Sequence, residues 1–195
     1  MKASFILAGF ALAFATPAAA QELVTNGGFE NGDFSGFTQT GNPGSTGVFS
    51  SPFVASGAFA AYFGPVGSTG GITQTLSTNA GQSYLISFDL RNFDGQTPNF
   101  YNVLFGGVSL FSATDSAAFN YTNFSTTATA VGASTELAFN FRHDPNYFLF
   151  DNVSVTAVTG AVPEPATWAM MLMGFGAMGV LLRRRRRTQT LLQAA

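Results

Sequence analysis

The sequence contains no cysteine and a single histidine, and only 9% of its residues are charged. Without cysteine the chain forms no disulfide, so a folded domain has to be stabilised by its core alone. The same absence excludes cysteine nucleophiles and cysteine metal sites. Because His143 is the one histidine, zinc sites built from two or more histidines are excluded as well.

Basic residues are almost absent from the middle of the chain. Between residues 21 and 162 two basic residues, Arg91 and Arg142, face nine acidic residues, a formal charge of −7. Phosphate binding needs clustered cations, so this charge excludes nucleic acid as a partner and disfavours anionic lipid. Neutral polysaccharide, or a cation such as calcium, suits the surface better. The acidic residues are Glu22, Glu30, Asp33, Asp89, Asp94, Asp115, Glu136, Asp144 and Asp151.

The first twenty residues have the pattern of a secretory signal peptide. Lys2 supplies the positive start, residues 5–14 are apolar, and small residues lead up to Ala20. We expect export by the Sec route and cleavage by signal peptidase between Ala20 and Gln21. The alternative is an N-terminal membrane helix, which the short apolar run and the small-residue ending disfavour.

Three elements follow one another near the C-terminus: the motif Pro163, Glu164 and Pro165, the apolar stretch 166–182, and five arginines. The prolines keep the motif extended. The apolar stretch approaches the ~17–25 residues that span a bilayer, and arginines are retained on the cytoplasmic side. The pattern predicts a single transmembrane helix over 166–182 and a cytoplasmic tail over 188–195. The basic stop consists of Arg183, Arg184, Arg185, Arg186 and Arg187.

Together these elements, residues 161–187, resemble the PEP-CTERM sorting signal of Gram-negative bacteria. The resemblance implies that a membrane-embedded exosortase cleaves at the motif. The protein would then be an inner-membrane anchored precursor before it reaches the cell surface or the extracellular space. Family members often accompany exopolysaccharide and biofilm genes. This chain differs from many members because it continues past the arginines, and an ordinary single-pass anchor remains the alternative.

Residues 21–160 have the length of one domain, and their apolar residues alternate with polar ones instead of following a helical period. Alternation is clearest over 84–92 and 136–142, and a last strand begins near Phe148 with an irregularity near Asp151. Gly, Asn, Pro and Ser clusters separate these runs, which predicts an all-β fold, an antiparallel β-sandwich. Eighteen phenylalanines can fill its core. Shorter candidate strands are 71–77, 102–105, 108–111 and 119–124.

Two segments at the ends of this domain, Leu23–Glu30 and Phe150–Val155, resemble the first and last strands of galactose-binding-like jelly rolls. Many carbohydrate-binding modules have this fold, and the resemblance implies neighbouring termini. It also implies a structural calcium ion held by Glu30 and Asp151, completed by backbone carbonyl oxygens. The alternatives are a solvated turn acid for Glu30 and a hydrogen-bonded strand irregularity for Asp151.

Candidate catalytic groups are few. His143 precedes Asp-Pro-Asn, a turn sequence, which favours an exposed turn histidine, and no Gly-x-Ser-x-Gly elbow occurs in the domain to complete a catalytic triad. Residues 93–102 combine aromatic and amide groups in a candidate sugar-binding loop, with a loop whose rings pack into the core as the alternative. The glycine-rich segment 31–51 is expected to form flexible turns.

These patterns favour a protein that is exported, processed by exosortase and not an enzyme, with exosortase, signal peptidase and the inner membrane as partners. Its β-sandwich would bind or organise exopolysaccharide, as in a biofilm, at the cell surface or in the matrix. The alternatives are a structural adhesin that contacts other proteins and, less favoured, a glycan hydrolase with paired carboxylates.

Overall fold

The computed structural model describes residues 20–144, 146–158, 170–179 and 183. Ala20–Val158 form one compact unit, and residues 170–179 and 183 belong to a second unit. The first unit contains the strands and the core, so it is the part of the chain that carries the candidate site.

Within the described residues the chain forms ten β-strands in two five-stranded sheets, and every pairing is antiparallel. The first sheet has the order β1-β4-β9-β6-β7 and the second has the order β2-β3-β10-β5-β8. The predicted antiparallel sandwich is therefore confirmed. The strands are β1 (Thr38–Gly41), β2 (Thr46–Ser50), β3 (Phe59–Phe63), β4 (Gly70–Ser77), β5 (Ser83–Asn92), β6 (Asn99–Phe105), β7 (Val108–Thr114), β8 (Phe119–Thr129), β9 (Ser134–His143) and β10 (Phe148–Ala157).

The strands with the clearest alternation lie in the middle of the two sheets. In β5 the side chains of Tyr84, Ile86, Phe88 and Leu90 are buried while their neighbours in sequence are at least partly exposed. Successive side chains of a strand point to opposite faces, so this pattern turns one face of β5 towards the core. β9 follows the same rule through Leu137, Phe139 and Phe141.

Phenylalanine rings fill the space between the two sheets. Phe63 of the second sheet stacks on Phe141 of the first, with ring centroids 4.4 Å apart, and Phe139 lies 4.7 Å from Phe150. Phe88 contacts both Phe139 and Phe150. Each ring buries a large apolar area without a polar atom to satisfy, which stabilises the domain in the absence of disulfides.

The expectation that the glycine-rich segment 31–51 forms flexible turns is wrong, because this segment contains β1 and β2. β1 pairs with β4 over four residues and β2 pairs with β3 over five. Neither strand has a strong alternating pattern of its own. They form because neighbouring strands supply hydrogen-bonding partners, a long-range effect that local propensity does not reveal.

The two ends of the domain lie side by side, as the jelly-roll resemblance implies. Glu22 forms an antiparallel bridge with Thr156, and the amide of Leu23 donates to the carbonyl of Val155 at 3.0 Å. The segment Leu23–Glu30 is, however, not a regular strand. β10 contains the predicted irregularity, a register shift between Asp151 and Ser154.

The C-terminal apolar stretch is helical over residues 170–179. Among the residues that the structure describes, no helix is both long enough and apolar enough to cross a membrane. Ala20 and Gln21 are exposed. The rest of the predicted signal peptide, the motif 163–165 and the arginines 184–187 lie outside the described residues.

Candidate functional site

The candidate site lies on the outer face of the second sheet. The strand register places Gly47 of β2, Tyr62 of β3, Leu149 of β10 and Arg91 of β5 in one row across four neighbouring strands. Side chains at these positions point away from the core because the inward positions are taken by their neighbours in sequence. We call this surface the aromatic face. It is formed by Phe49, Phe53, Tyr62, Arg91, Phe93, Tyr147 and Leu149.

One half of the aromatic face is a shallow apolar pocket of about 290 Å³, lined by Phe49, Tyr62, Tyr147 and Leu149. The ring of Tyr62 meets Tyr147 edge to face with centroids 5.4 Å apart, and it meets Phe49 in the same manner at 6.1 Å. Edge-to-face contacts fix the rings relative to one another. The pocket therefore presents three aromatic rings in a defined arrangement.

Two glycines make room for the two tyrosines. A Cβ atom at Gly47 would lie 2.7 Å from the phenol oxygen of Tyr62. One at Gly64 would meet the carbonyl oxygen of Asn146 first and would lie 2.6 Å from Cδ1 of Tyr147. Both distances are shorter than real Cβ contacts, so a larger residue would displace the rings. The shape of the pocket thus depends on glycine at these two positions.

The other half of the aromatic face is centred on Arg91. Its guanidinium carbon lies 4.9 Å from the ring centroid of Phe93 and 5.8 Å from that of Phe53, within the range of cation–π contacts. Phe53 and Phe93 meet edge to face at 6.4 Å and remain 52% and 43% exposed. Two exposed rings therefore flank a cation at the surface.

Arg91 makes no ion pair with the described residues, whereas Arg142 is bound to Asp144 at 2.7 Å. The Nε atom of Arg91 is buried without a hydrogen-bond partner. The two terminal guanidinium nitrogens of Arg91 donate no hydrogen bond within the described residues either, whereas Nε and Nη2 of Arg142 donate to Asp144. Since guanidinium nitrogens are strong donors, the two terminal nitrogens of Arg91 are free to bind an acceptor that approaches the aromatic face.

The structure brings Glu30 and Asp151 to one place, against the loop 51–58 that connects β2 to β3. Asp151 is fully buried, and its Oδ2 accepts hydrogen bonds from the amides of Ala55 and Ser56 at 3.1 and 3.2 Å. The Glu30 carboxylate accepts from the amide of Ala58 at 3.1 Å. The two acids hold the loop that carries Phe53 onto the aromatic face.

The fit of this pair to calcium can be judged from its surroundings. Burial raises the pKa of Asp151 above its usual value, and the charge of Glu30 raises it further. Within the described residues neither acid is paired with a cation. Asp151 Oδ1 and Glu30 Oε2 each accept a single amide hydrogen bond, which leaves one lone pair on each oxygen. These oxygens suit a hard cation.

Further ligands for such an ion would have to be neutral oxygen atoms. No group of three or more His, Cys, Asp or Glu side chains in the described part of the chain could hold a metal ion. The calcium site at Glu30 and Asp151 accordingly remains a proposal.

Asp89 and Asp151 lie directly opposite each other on β5 and β10. A pair of carboxylates on a sheet face is the arrangement that a glycan hydrolase would need. Asp151 is fully buried under the loop, however, and Asp89 accepts hydrogen bonds from Asn123 at 2.8 Å and Asn152 at 2.7 Å. With one acid shielded from solvent, this pair does not flank a substrate bond.

The expectation of an exposed turn histidine is wrong, because His143 is completely buried at the end of β9. Its Nδ1 accepts from the amide of Asn146 at 3.3 Å, which assigns the proton to Nε2, and Nε2 donates to the Asn92 side chain at 3.0 Å. Burial lowers the pKa of His143, while Asp94 at 3.6 Å opposes that shift. In the described contacts no hydroxyl approaches the ring, so it is not part of a catalytic triad.

The candidate loop 93–102 divides into two parts. Phe93 joins the aromatic face, but Asn99 is buried and Tyr101 packs in the core as part of β6. The Asn99 side chain donates to the carbonyls of Gln96 and Ser116 at 2.9 and 3.0 Å and so closes the loop. Most of this segment is therefore structural.

The sequence alone does not single out Phe49, Phe53, Tyr62 or Tyr147. These residues come from β2, β3 and two loops, and only the strand register brings them together. Nothing in the spacing of the aromatic residues distinguishes them from those of the core. The glycines opposite the tyrosines were the one available signal, and pairing them with the tyrosines requires the register.

The C-terminal part of the chain matches a known family profile. Residues 161–187 match the PEP-CTERM protein-sorting motif. The predicted location of the motif is confirmed, with Pro163, Glu164, Pro165 and Arg183 to Arg187 inside the matched range. This motif marks an exported protein that passes through a membrane-anchored precursor.

Several solved carbohydrate-binding modules share the fold of the first unit. TmCBM61, solved in complex with β-1,4-galactotriose, has 12% identity and a TM-score of 0.57 over 71% of this chain and 100% of its own. The CBM22-1 xylan-binding domain of Paenibacillus barcinonensis Xyn10C has 16% identity and a TM-score of 0.52 over 75% and 100%. The Clostridium thermocellum xylanase 10B with its CBM22-1 module has 17% identity and a TM-score of 0.52. The match covers 74% of this chain and 30% of that protein. No curated protein matches the chain.

Proposed function

We propose, from the sorting motif that this chain carries and the sandwich that it shares with carbohydrate-binding modules, that it is an exported, exosortase-processed protein of the cell surface or extracellular matrix. Its β-sandwich binds extracellular polysaccharide, such as that of a biofilm, at the aromatic face and does not catalyse a reaction. The observation that carries this proposal is the aromatic face, which gathers exposed rings and Arg91 on the outer side of the second sheet.

The chemistry of the aromatic face suits a neutral sugar chain. The rings of Tyr62 and Tyr147 offer apolar surfaces to the C–H faces of sugar rings, and Phe53 and Phe93 do the same at the other end. The terminal guanidinium nitrogens of Arg91, which donate no hydrogen bond within the described residues, supply donors for sugar hydroxyl oxygens. The domain is acidic, so it repels an anionic polysaccharide, whereas a neutral polysaccharide meets no such repulsion at this surface.

The aromatic face extends across several strands, which suits a chain of sugar units better than a single sugar. The pocket lies over β2, β3 and β10, and Arg91 follows on β5. Neighbouring strands are about 4.8 Å apart, so the row from β2 to β5 covers about 14 Å, room for several sugar rings. The proposed ligand is accordingly an oligosaccharide stretch within a longer polymer.

Binding of residues 20–158 to the polysaccharide of the producing organism, measured by glycan array or pull-down, tests this proposal. We expect Tyr62→Ala and Arg91→Ala each to weaken binding about tenfold or more, the loss expected for an aromatic or arginine residue in the centre of a binding surface. Gly47→Ala should weaken it through displacement of the Tyr62 ring. Val131→Ala, at a position 88% exposed and away from the aromatic face, should leave binding unchanged.

Two results would contradict the proposal. One is the absence of binding by the folded wild-type domain. The other is binding that the variants of the aromatic face leave intact, since the ligand would then lie elsewhere on the domain.

A further inference from the structure

Strand β8 is a long free edge of the second sheet. It runs over 11 residues, whereas the other edge strands of the described sandwich, β1, β2 and β7, have 4, 5 and 7 residues. β8 pairs with β5 on one side. On its other side, alternate main-chain groups are left without a strand partner.

No described hydrogen bond outside the β5–β8 ladder uses a main-chain N–H of residues 119–129. The side chain of Tyr121 contacts the loop 51–58 at one end of the strand, through a hydrogen bond to the carbonyl of Phe53. From Asn123 to Thr129 the alternate residues Asn123, Ser125, Thr127 and Thr129 are exposed. This part of the edge is open to a partner strand.

Between Asn123 and Thr129 the edge lacks the features that normally prevent strand pairing between molecules. The one register shift of β8 against β5 lies at its other end, between Phe119 and Thr122. Natural edge strands are blunted by charged residues, proline, bulges or short length. β8 contains neither charge nor proline, and the segment 116–135 around it is uncharged. Threonine and aromatic residues, which favour strand structure, make up more than half of β8. The composition of β8 is therefore compatible with main-chain pairing to a strand of another molecule.

The distribution of charge favours pairing with another copy at this edge. The domain carries a formal charge of −7, so two copies repel each other over most of their surface. Between Asp94 and Glu136 the only charged residue is Asp115, and β7 and β8, the edges of the two sheets on this side of the sandwich, both lie in that interval. Approach along this side brings uncharged strands together.

We propose that two copies of this protein pair through β8, antiparallel about a two-fold axis, so that their second sheets join into one ten-stranded sheet. The contact is isologous, because the same strand contributes from both copies. Main-chain hydrogen bonds across the new strand pair satisfy the groups that the single copy leaves free.

The pairing has a consequence for ligand binding that rests on the proposed function. The two-fold axis of an antiparallel strand pair is perpendicular to the sheet, so both aromatic faces lie on the same side of the joined sheet. A polysaccharide with repeated units could then engage both, which raises the overall avidity without a new contact. The pairing itself does not depend on any ligand.

Sedimentation equilibrium of residues 20–158 tests the proposal in the absence of sugar. This segment can be produced alone because it is a compact unit that contains all ten described strands and their core. We expect twice the mass of one chain. Ser125→Lys and Thr127→Lys, on the exposed side of β8, should raise the dimer dissociation constant about tenfold or more, since like charges would face each other across the pair. Thr38→Lys, on the edge strand β1 of the other sheet, should not.

Single cysteine variants give a second measurement that does not depend on destabilising the edge. The wild type has no cysteine, so any disulfide formed by Asn123→Cys, Ser125→Cys or Thr127→Cys joins two copies. The variant nearest the two-fold axis should crosslink efficiently, because a disulfide needs Cα atoms about 5.5–6 Å apart. Thr38→Cys should remain uncrosslinked.

The pairing proposal is overturned by a wild-type domain that is monomeric at its highest soluble concentration, by lysine variants that circular dichroism shows to be folded and that dimerise as tightly as the wild type, or by equal crosslinking at Thr38→Cys. Failure of sugar binding with a stable β8 dimer would contradict the proposed function alone. Sugar binding by a strictly monomeric domain would contradict the pairing alone.

Discussion

At the scale of single residues, His143 shows how a turn sequence can hide a buried group. Asp144 and Asn146, which follow it, lie in bends, but the ring folds back against Phe148 with centroids 5.1 Å apart. It is held by Asn92, which also accepts from the amide of Gly95 at 3.2 Å. His143 thus positions the beginning of the loop that carries Phe93.

The depressed pKa of His143 has a consequence for stability against pH. The unfolded chain binds a proton at the ordinary value near 6.5 while the folded domain does not, so stability present above that pH is lost as the pH falls towards the folded value. We predict that the unfolding temperature of residues 20–158 decreases below about pH 6.5. His143→Gln, which stays neutral, should flatten this dependence. The measurement is thermal unfolding between about pH 7.5 and about pH 5, a range that brackets the ordinary pKa of histidine.

His143 is the one histidine of the chain, so its replacement removes the group whose ordinary pKa lies in that window. An unchanged pH dependence in His143→Gln would show that the folded and unfolded histidine have the same pKa. Removal of the ring also leaves the amide of Asn146 without its acceptor and Asn92 Oδ1 with the Gly95 amide as its one remaining donor among the described contacts. We therefore expect the variant to be less stable than the wild type by about 1–3 kcal/mol at every pH.

At the scale of structural elements, the loop 51–58 links the predicted metal ligands to the binding surface. Glu30 and Asp151 hold its backbone, and the Tyr121 hydroxyl donates to the carbonyl of Phe53 at 3.2 Å. Burial, with a contribution from the charge of Asp151, raises the pKa of Tyr121, so this donor keeps its proton throughout the physiological range. The loop is fixed at several points along its length.

We propose that calcium binds Glu30 and Asp151 and stabilises this loop. The raised pKa of Asp151 means that its ionisation lowers stability as the pH rises through the folded value, and a bound cation would offset that loss. Calcium at about 1–5 mM, above the dissociation constants of weak extracellular sites, should raise the unfolding temperature at pH 7. The increase should disappear at acid pH, where Asp151 is protonated.

Glu30→Gln and Asp151→Asn should abolish the calcium effect. Glu136→Gln is a matched control, because Glu136 is an exposed acid of β9. If calcium leaves the unfolding temperature of the wild type unchanged at neutral pH, the carboxylates serve the loop through their hydrogen bonds alone.

Elements differed in how well the sequence predicted them. β5 and β9 are central strands with one face in the core, so burial imposes an alternation that is visible locally. β1 and β2 are edges with few buried side chains, and their glycines obscure any pattern. β3 has consecutive buried residues, Ala60 and Ala61, because both of its faces are covered. The burial pattern of β3 therefore does not alternate, because the rings of the aromatic face cover its outer side.

At the scale of the whole molecule, the ends of the chain and the domain between them were predictable to different degrees. The sorting motif is a contiguous string of residues with distinct chemistry, so its position followed from the sequence. The aromatic face is assembled from distant segments and depends on strand order, which a single sequence does not specify. The structure places Glu30 and Asp151 close together. This proximity was expected from the resemblance to jelly-roll modules, and no local sequence pattern indicates it.

The sorting motif makes a prediction about the mature protein. In a host with exosortase, mass spectrometry should find an N-terminus at Gln21 and a chain that ends near Pro163–Pro165. Replacement of Pro163, Glu164 and Pro165 by alanine should leave nearly all of the protein with its tail and in the membrane fraction, since the processing enzyme loses its recognition motif. Glu136→Ala, in the domain, should be processed normally. Full-length chain in the cytosol with both ends intact would contradict this sorting scheme.

The position of β10 determines how the domain responds to a pull. β10 is the last strand before the C-terminal tail, and it lies in the middle of its sheet, between β3 and β5. Tension applied through the tail while a bound polymer holds the aromatic face of the same sheet acts along this strand in shear. Hydrogen bonds to both neighbours then resist together instead of opening one after another. The strand next to the anchor is thus the one best placed to withstand mechanical stress from flow.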